Sequence, residues 1–576
     1  MSENRAHCAM NGPETQTLNT KTPMYDIVFI NPPNHCQEDY IPLGLKNLHA
    51  IIARDGFRTH FIDLQAMFIH KELGYTPDSI SRIHDLITAA PAPIYAFTLW
   101  NTSFPWVVEM CRFIKAKNAS AVTLIGGPMS TLLWEEILSD YHCIDIACRF
   151  EGETIISPLG QAILSHGMED LSGIPNIVFR KQDGSLEVAA QAPLIDNLDT
   201  LPQIDLFPED FSNPVVNLEA GRGCSFHCYY CSSCYVWQFK PRYKSGARLF
   251  SEIDHLCRRY KDRGMVPPVL HLEHDNFLMN PKVLEELDEK VRESGLAFHY
   301  GFAGRADLIT PRNLDLLKQT GCAYVYLGIE TGSPRMQEIT RKHLSFARMY
   351  GAIEHLQERS IMVHANLMYG FPEERLPDLY ATLDMINRLR FLGVHVHVSL
   401  LSPEMKTPVG DGANPSDFLF NNSSRYGAEL ADVGFCLSDY KAIYVNHLYT
   451  LRNHHYDLPF HHKFIQFWHP LVTACPMTVH RIMHKHPWHW DQSISRWEDH
   501  GMPAFPAPHD SLRDLFRIFD DTFGHDPEEM RILDIECRLK AHSPNGKASA
   551  SPLPRSELAF YYRHFAGVRR ETLFKN

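Results

Sequence analysis

The sequence predicts an α/β protein: an N-terminal doubly wound parallel sheet, then a partial (β/α)6 barrel, then a mostly helical C-terminal extension. Three observations predict it. Short apolar strand runs alternate with amphipathic helical segments between Tyr25 and Ala147, and again between Val215 and Leu400. A proline-punctuated stretch separates these two regions, and beyond Gly410 the alternation stops. Strands alternating with helices are the mark of parallel sheets joined by helical crossovers. At about 100–200 residues per domain, a chain of 576 residues has room for about three or four domains. The expected boundaries are a polar tail over 1–24, the sheet over 25–164, a linker over 165–211, the barrel over 212–410 and the extension over 411–576.

In the first region Tyr25–Ile30 is an apolar strand run ended by Asn31-Pro32-Pro33. A helical pattern follows from Leu43 to Asp55, with Gly56 placed to close it. Further strands are expected at Phe57–Ile62, Ile94–Leu99, Ala121–Ile125 and Ile144–Ala147. Amphipathic segments at Ile80–Thr88, Trp106–Ala116 and Leu132–Leu138 lie between the later ones. Such sheets bind ligands at the carboxyl ends of their strands. In the linker, Asn176–Arg180 and Ser185–Ala189 read as a hairpin turning at Asp183-Gly184.

The second region holds strand candidates at Val215–Glu219, Val269–Glu273, Ala297–Phe302, Tyr324–Glu330, Met362–Tyr369 and Val394–Leu400. Helical segments near Arg248–Arg263, Pro281–Ser294, Arg312–Thr320, Phe346–Arg359 and Pro377–Leu392 separate them. Strand–helix units at this spacing imply an open or closed α/β barrel. The extension is rich in aromatics and histidine, is broken by prolines, and carries a Ser/Pro/Ala loop at Asn545–Pro554.

Composition narrows the function. Hydrophobic residues make up 44% and charged residues 21%, as in a globular protein. Acidic residues outnumber basic ones, 68 to 55, so gripping nucleic acid is not the expected task. No stretch of about 18 apolar residues occurs, so no spanning helix is expected. The first 24 residues lack the apolar core of a secretory signal, so the expected location is cytoplasmic.

Among fourteen cysteines, Cys224, Cys228 and Cys231 form a C-x3-C-x2-C run just after the first barrel strand. In a long chain with no export signal, such crowding favours metal over disulfide. Three thiolates on one loop can each take an iron of a cubane cluster and leave the fourth iron open. Gly221-Arg222-Gly223 just before gives the backbone freedom to wrap a bulky group. The competing reading is zinc, which normally takes four protein ligands in a structural site and would recruit Cys234.

With Tyr230 before the last cysteine, the run resembles the signature of the radical S-adenosylmethionine (SAM) superfamily. The resemblance spans about Val215 to Pro408. It implies a [4Fe-4S] cluster on Cys224, Cys228 and Cys231, whose open iron chelates SAM and whose electron cleaves it to a 5′-deoxyadenosyl radical. It also implies an external one-electron donor such as flavodoxin or ferredoxin. Tyr230 would contact the adenine. His271-Leu-Glu273-His-Asp275-Asn276 resembles the family's acidic segment after the second strand, and Arg305 its basic position after the third. Gly328-Ile-Glu330-Thr331-Gly-Ser resembles G-I-E-S-G-S, and Gly370-Phe-Pro-Glu-Glu374 a G-F-P-x-E turn. A zwitterionic methionine moiety needs both charge signs and a ribose needs polar partners. The SAM candidates are therefore Tyr230, Glu273, Asp275, Arg305, Gly328, Glu330 and Thr331.

The front sheet resembles the cobalamin-binding domain that precedes many radical SAM enzymes. Pro42-Leu43-Gly44-Leu45 opens its first helix and Thr98-Leu99-Trp100 ends the third strand. Gly126-Gly127-Pro128 ends the fourth, and Glu151-Gly152-Glu153 follows the fifth. The implied cobalamin contacts are Leu43, Gly44, Thr98, Trp100, Gly126, Gly127, Pro128, Glu151 and Gly152. The D-x-H-x-x-G motif that gives cobalt a histidine is absent; Asp140-Tyr-His142-Cys-Ile-Asp145 lacks the glycine and precedes the wrong strand. A flavodoxin-like domain without cobalamin is the alternative.

Between His447 and His500 lie eleven histidines, with His480 and His484 one helical turn apart. They read as aromatic helices covering the barrel mouth, with Tyr444, Trp468 and Trp488 as candidate wall residues; a metal site is the rival reading. The expected function is a cobalamin-dependent radical SAM methyltransferase acting on an unactivated carbon, or less often phosphorus, of a small molecule or peptide. The alternatives are a radical SAM cyclase, oxidase or rearrangement enzyme, a tRNA methylthiotransferase, and a non-catalytic cobalamin or iron–sulfur sensor.

Overall fold

The computed structural model describes residues 24–34, 41–213, 215–421, 424–485, 489–504 and 509–541, with 556, 557 and 561 near the C-terminus. Residues 1–23 of the polar tail and Asn545–Pro554 lie outside the described residues.

The front sheet has seven strands: β1 Ile27–Asn31, β2 Thr59–Asp63, β3 Ile94–Thr98, β4 Val122–Gly126, β5 Ile146–Cys148, β6 Ile177–Arg180 and β7 Leu186–Val188. Their spatial order is β2-β1-β3-β4-β5-β6-β7. The first five run parallel, whereas β6 and β7 pair antiparallel. The hairpin expected in the linker therefore extends the sheet. β1 is buried along its whole length because helices cover both faces. Val28 and Ile30 point into one core, with Ile83, Val107 and Ile137. Ile27 and Phe29 point into the other, with Ile52, Leu159 and Ile163. Two helices went unread in the sequence: Ile156–His166, and the short Leu64–Ile69, whose first turn is capped by Asp63 accepting from Ala66 N at 3.0 Å.

The second unit is an open parallel sheet. Its strands are β8 Val215–Glu219, β11 Val269–Glu273, β12 Tyr300–Gly304, β13 Cys322–Glu330, β14 Met362–Tyr369 and β15 His395–Leu400, in the order β15-β14-β13-β12-β11-β8. A two-stranded ribbon, β9 Gly221–Arg222 with β10 Arg242–Tyr243, lies beside the start of it. Strands adjacent in the chain are adjacent in space, so right-handed crossovers place every helix on one face. Alternate residues follow from this. Leu270, Leu272, Phe302, Val325, Leu327, Val363, Ala365 and Val396 pack in one core with the crossover helices. Asn217, His271, Glu273, Tyr324, Tyr326, His364, Asn366 and His397 occupy the helix-free face.

The extension grips both units. The helix Arg425–Val433 and the segment through Tyr444 join the front-domain core, where the Tyr444 hydroxyl donates to Asp140 Oδ2 at 2.5 Å. The helices Leu458–Ala474 and Trp490–Asp499 bury Trp468, Trp490 and Trp497 in the barrel's outer core. A second hairpin, β16 Phe418–Phe420 with β17 Tyr449–Leu451, lies between. Tyr444 and Trp468 are thus core residues rather than wall residues, and Trp488 lies outside the described residues.

The extension also docks on the turn after β14. Asn453 Nδ2 donates to the carbonyls of Phe371 and Glu374 at 2.8 and 2.9 Å. Glu374, fully buried, accepts from Gly370 N at 2.7 Å and from the Tyr456 hydroxyl at 2.6 Å. Burial pushes its carboxyl up to about 7 from an ordinary 4.5. Between those values the folded state holds a proton that the unfolded chain has released, so this group's contribution to stability is lost as pH rises through the window. Glu374→Gln cannot titrate. Its melting temperature should gain on that of the native chain as pH rises from about 4.5 to about 7 and level off above. Thermal scans across that range check it; a difference that does not vary with pH contradicts it.

Candidate active site

The loop after β8 presents the three cysteines. Cys224, Cys228 and Cys231 are half-buried free thiols on one short turn, while Cys234 is buried and turned onto the Cys231 carbonyl, 3.4 Å away. Gly223 has a φ of +90°, and its N–H is accepted by Asp275 Oδ2 at 2.7 Å. Asp275 also accepts from the Ser233 hydroxyl beyond the last cysteine. One carboxylate therefore braces both ends of the loop, a positioning task the sequence did not reveal. Burial raises the Cys224 thiol and pushes that of Cys231 up to about 12. Thiols so placed ionise when a metal takes them. Among the described residues, no group of three or more His, Cys, Asp or Glu side chains stands close enough to hold a single metal ion.

Buried polar atoms surround the loop without partners: Arg305 Nη1, both amide atoms of Asn276, and the Tyr243 hydroxyl. Asn276 is 1% exposed, so leaving it unpaired is costly unless a polar ligand meets it. Arg305 lies over the Phe226 ring at 3.9 Å, inside the cysteine loop, and pairs with Asp307 at 2.9 Å. Glu273 accepts from Asn217 at 2.7 Å; burial, with Asp275 adding, pushes it up to about 7. These groups fit a ligand carrying an amine, a carboxylate and hydroxyls.

Other SAM candidates are already engaged. Glu330, in the left-handed region at φ +70°, folds back over Gly328 to meet Lys342 Nζ at 3.0 Å. Thr331 is fully buried, with its hydroxyl 3.1 Å from that of Thr382 and accepting from Ser333 N. Tyr230 packs near Phe371, with ring centroids 6.1 Å apart; burial, with Glu330 adding, raises its hydroxyl.

On the front sheet the glycine turns lie at the carboxyl edge. A side chain at Gly126 would meet only Cys148, at 3.9 Å, and one at Gly44 would meet nothing within 4 Å. Gly127 is different: at φ +96° a side chain would crowd Thr98 Oγ1 at 3.1 Å. Trp100 and Pro128 are half-buried along the same edge, and Gly152 lies against Leu48. Asn47, 1% exposed on the helix Leu43–Arg54, has an unpartnered Oδ1. This open, glycine-lined edge fits a large flat group. Leu43 instead sits in the barrel's apolar cluster with Leu206 and Val216. His142 is exposed at the opposite edge, ahead of β5. A cavity of ≈ 380 Å³ lined by His60, Asp63 and Met67 lies at the outer strand β2, away from these turns.

The two edges meet in a buried ion cluster. Arg222, two residues before Cys224, donates to Glu151 at 2.7 Å, Glu153 at 2.6 Å and Glu219 at 2.7 Å. Across the ribbon, Arg242 donates to the same Glu151 oxygen at 2.7 Å. The other oxygen of Glu151 accepts from Ile195 N at 2.6 Å. Lys244 joins Glu252 at 2.8 Å, and Trp237 underlies both guanidiniums at 5.5 and 5.7 Å. Burial alone would raise Glu219, but Arg222, Lys244 and Arg242 outweigh it and hold the carboxyl below its ordinary value. Glu151 thus spends its carboxylate on the barrel. Its distance in sequence from Arg222 and Arg242 hid this pairing.

A profile of the radical SAM superfamily matches residues 218–386, and one of the B12 binding domain matches residues 34–159. An uncharacterized methyltransferase of Pyrococcus horikoshii is 26% identical over 355 residues, 60% of this chain and 73% of its own. Hopanoid C-3 methylase of Methylococcus capsulatus is 23% identical over 343 residues, 57% of this chain and 60% of its own, so the chain spans less than two thirds of that relative. Anaerobic magnesium-protoporphyrin IX monomethyl ester cyclase of Synechocystis is 24% identical over 377 residues, 62% of this chain and 72% of its own. The fold is shared with a solved structure, the cobalamin-dependent S-adenosylmethionine radical enzyme OxsB with aqua-cobalamin and S-adenosylmethionine bound. Its TM-score is 0.58 at 15% identity, over 96% of this chain and 80% of that one.

Removing one member of a buried ion cluster strands its partners, at a cost of about 3–5 kcal/mol. Arg222→Gln and Glu151→Gln should each lower the denaturant midpoint and speed hydrogen exchange across residues 221–231. The double variant should cost less than the sum of the two. Additive losses would contradict direct coupling.

Proposed function

Because this chain belongs to the cobalamin-binding radical SAM family, we propose that it is a cobalamin-dependent radical SAM methyltransferase acting on an unactivated carbon, or phosphorus, of a small molecule or peptide. The observation that carries this reading is the Arg222 cluster. It joins the carboxyl edge of the front sheet to the cysteine loop, so a methyl donor on the sheet and a radical source on the loop face one substrate. When bound, the cluster with SAM supplies a hydrogen-abstracting 5′-deoxyadenosyl radical, and methylcobalamin supplies the methyl group.

The chain's own residues bind and orient. Cys224, Cys228 and Cys231 would hold the cluster. Asn276, Arg305 and Glu273 are the polar groups available to the methionine part of SAM, with Glu330, held by Lys342, beside Tyr230 on the adenine side. Asp275 fixes the loop through Gly223 and Ser233. The edge at Gly44 and Gly126 leaves room for a corrin. The segment through Tyr444 packs on the front domain, and the helix Leu458–Ala474 on the barrel, so the extension holds the two units together.

An external flavodoxin or ferredoxin completes the proposal. The described cysteines are all free thiols, as a reducing cytoplasm would leave them. No described helix is long and apolar enough to cross a membrane. The acidic balance disfavours RNA as substrate. A relative named as a cyclase keeps ring closure as a second reading, and product mass separates the two, since only methylation adds a methyl group.

Anaerobically reconstituted protein should carry about four irons in one cluster. With SAM and a strong reductant it should release 5′-deoxyadenosine. Alanine at any one of Cys224, Cys228 or Cys231 should abolish that release. Unchanged turnover in those variants, or tetrahedral zinc in place of iron, would overturn the assignment.

A further inference from the structure

The helix-free face of the barrel is chemically lopsided. Its first strands carry acids: Glu219 at the end of β8 stands in register with Glu273 at the end of β11. Its middle strand carries Tyr324 and Tyr326. Its last two strands carry His364 beside His395, and Asn366 beside His397. The three imidazoles form a stack: His364 lies 5.0 Å from His395 and 5.7 Å from His397, centroid to centroid, with Tyr326 4.4 Å away on its other side. His364 Nδ1 and His397 Nε2 are 3.4 Å apart.

Arg390 reaches this group from the helix Leu376–Phe391. Its Nη2 donates to the Val396 carbonyl on the free edge of β15 at 2.5 Å and lies 3.3 Å from His469 Nε2. Its Nε is buried without a partner. Arg222, Arg242, Arg305 and Arg335 each meet a carboxylate, whereas among the described residues no carboxylate lies within ion-pair reach of Arg390. Burial lowers its guanidinium to about 10, with no neighbouring acid to oppose the effect. Burial likewise lowers His364, His395, His397 and His469, with Arg390 adding to each, so the imidazoles are neutral near pH 7. This half-buried cation meets only neutral acceptors, the Val396 carbonyl and His469 Nε2, has no counter-ion beside it, and leaves its Nε without a partner.

We propose that Arg390, His364, His395 and His397 form a binding site for an oxyanion, a carboxylate or phosphate carried by the substrate. The site rests on the proposed function only for the identity of the carrier. An oxyanion has lone pairs for both the guanidinium and the imidazole N–H groups. The tyrosines of β13 then lie between the anchored end and the acids near the cysteine loop, so the reacting part of the substrate extends along the aromatic tier toward the radical source.

The test is histidine carbethoxylation by diethyl pyrocarbonate, read by peptide mass spectrometry on the anaerobic holoenzyme, which is also assayed for SAM cleavage. Inorganic phosphate is added in one arm and benzoate in another. Either anion should slow modification of His395 and His397 and leave exposed His343 unaffected. Protection by phosphate alone assigns a phosphate-bearing substrate, and by benzoate alone a carboxylate-bearing one. Arg390→Gln should raise the half-protecting concentration about tenfold. His364→Gln, which leaves Arg390 in place, should weaken protection in the same direction. No protection in either arm, equal protection of His343, or protection that survives both variants overturns the site. Holoenzyme that cleaves SAM but shows no protection removes this site and leaves the proposed function standing; protection without 5′-deoxyadenosine does the reverse.

Discussion

Arg222 is the hinge of the arrangement. It stands between two glycines at the mouth of the cysteine loop and spends its guanidinium on Glu151 and Glu153 of the front domain and Glu219 of its own. Each pair is buried, so water can neither screen nor replace it. Taking such charges out of water costs about as much as their attraction returns, and the cluster adds little net stability. It contributes position. A non-directional apolar interface would let the two units slide, whereas a planar guanidinium meeting three carboxylates fixes distance and angle together. Lys46, buried against Asp210 with its ammonium 3.9 Å from the Phe207 ring, ties the first front helix to the chain entering the barrel. The extension adds a third bond by packing into both cores.

That geometry explains how polar residues are divided in the barrel. The helix-covered face is apolar throughout, because the crossovers bury it. The other face can be polar only where something satisfies it. Near the cysteine loop this is done from within, by Asp275 on Gly223 and Lys342 on Glu330, and the atoms left over, on Asn276 and Arg305, await a polar ligand. At the far edge, Arg390 meets only the neutral Val396 carbonyl and His469, and His364 meets His397, with no charged partner among the described residues.

Much of this was legible in the sequence, for physical reasons. β14 and the helix Pro281–Ser294 fall where period and caps put them, since each has one buried face and a sharp start. The glycine turns at strand ends were legible too, because few other residues serve there. Other features were not. The helix Ile156–His166 carries a short apolar stripe interrupted by Gly160, and the sequence pattern assigns no element there. The hairpin was read, but its docking on β5 depends on a partner far back in the chain. The ion cluster brings together Glu151, Glu219, Arg222 and Arg242, and no local pattern encodes which acid meets which base. In sequence Glu151 therefore reads as a ligand contact, whereas in the structure both its oxygens are engaged by protein donors. Asn276 carries one signal in sequence, an amide just past a strand end beside acids, which does not by itself mark it as a ligand group.

With the front-domain edge and the cysteine loop clamped face to face through Arg222, the cofactors proposed for them are close neighbours. Electron paramagnetic resonance of the anaerobic holoenzyme, with cobalt(II) and a reduced cluster in the same molecule, tests this most directly. The clamped geometry predicts that the two spins interact, so each signal is split or broadened relative to protein holding one cofactor alone. A spectrum that is the plain sum of the two separate signals would contradict it.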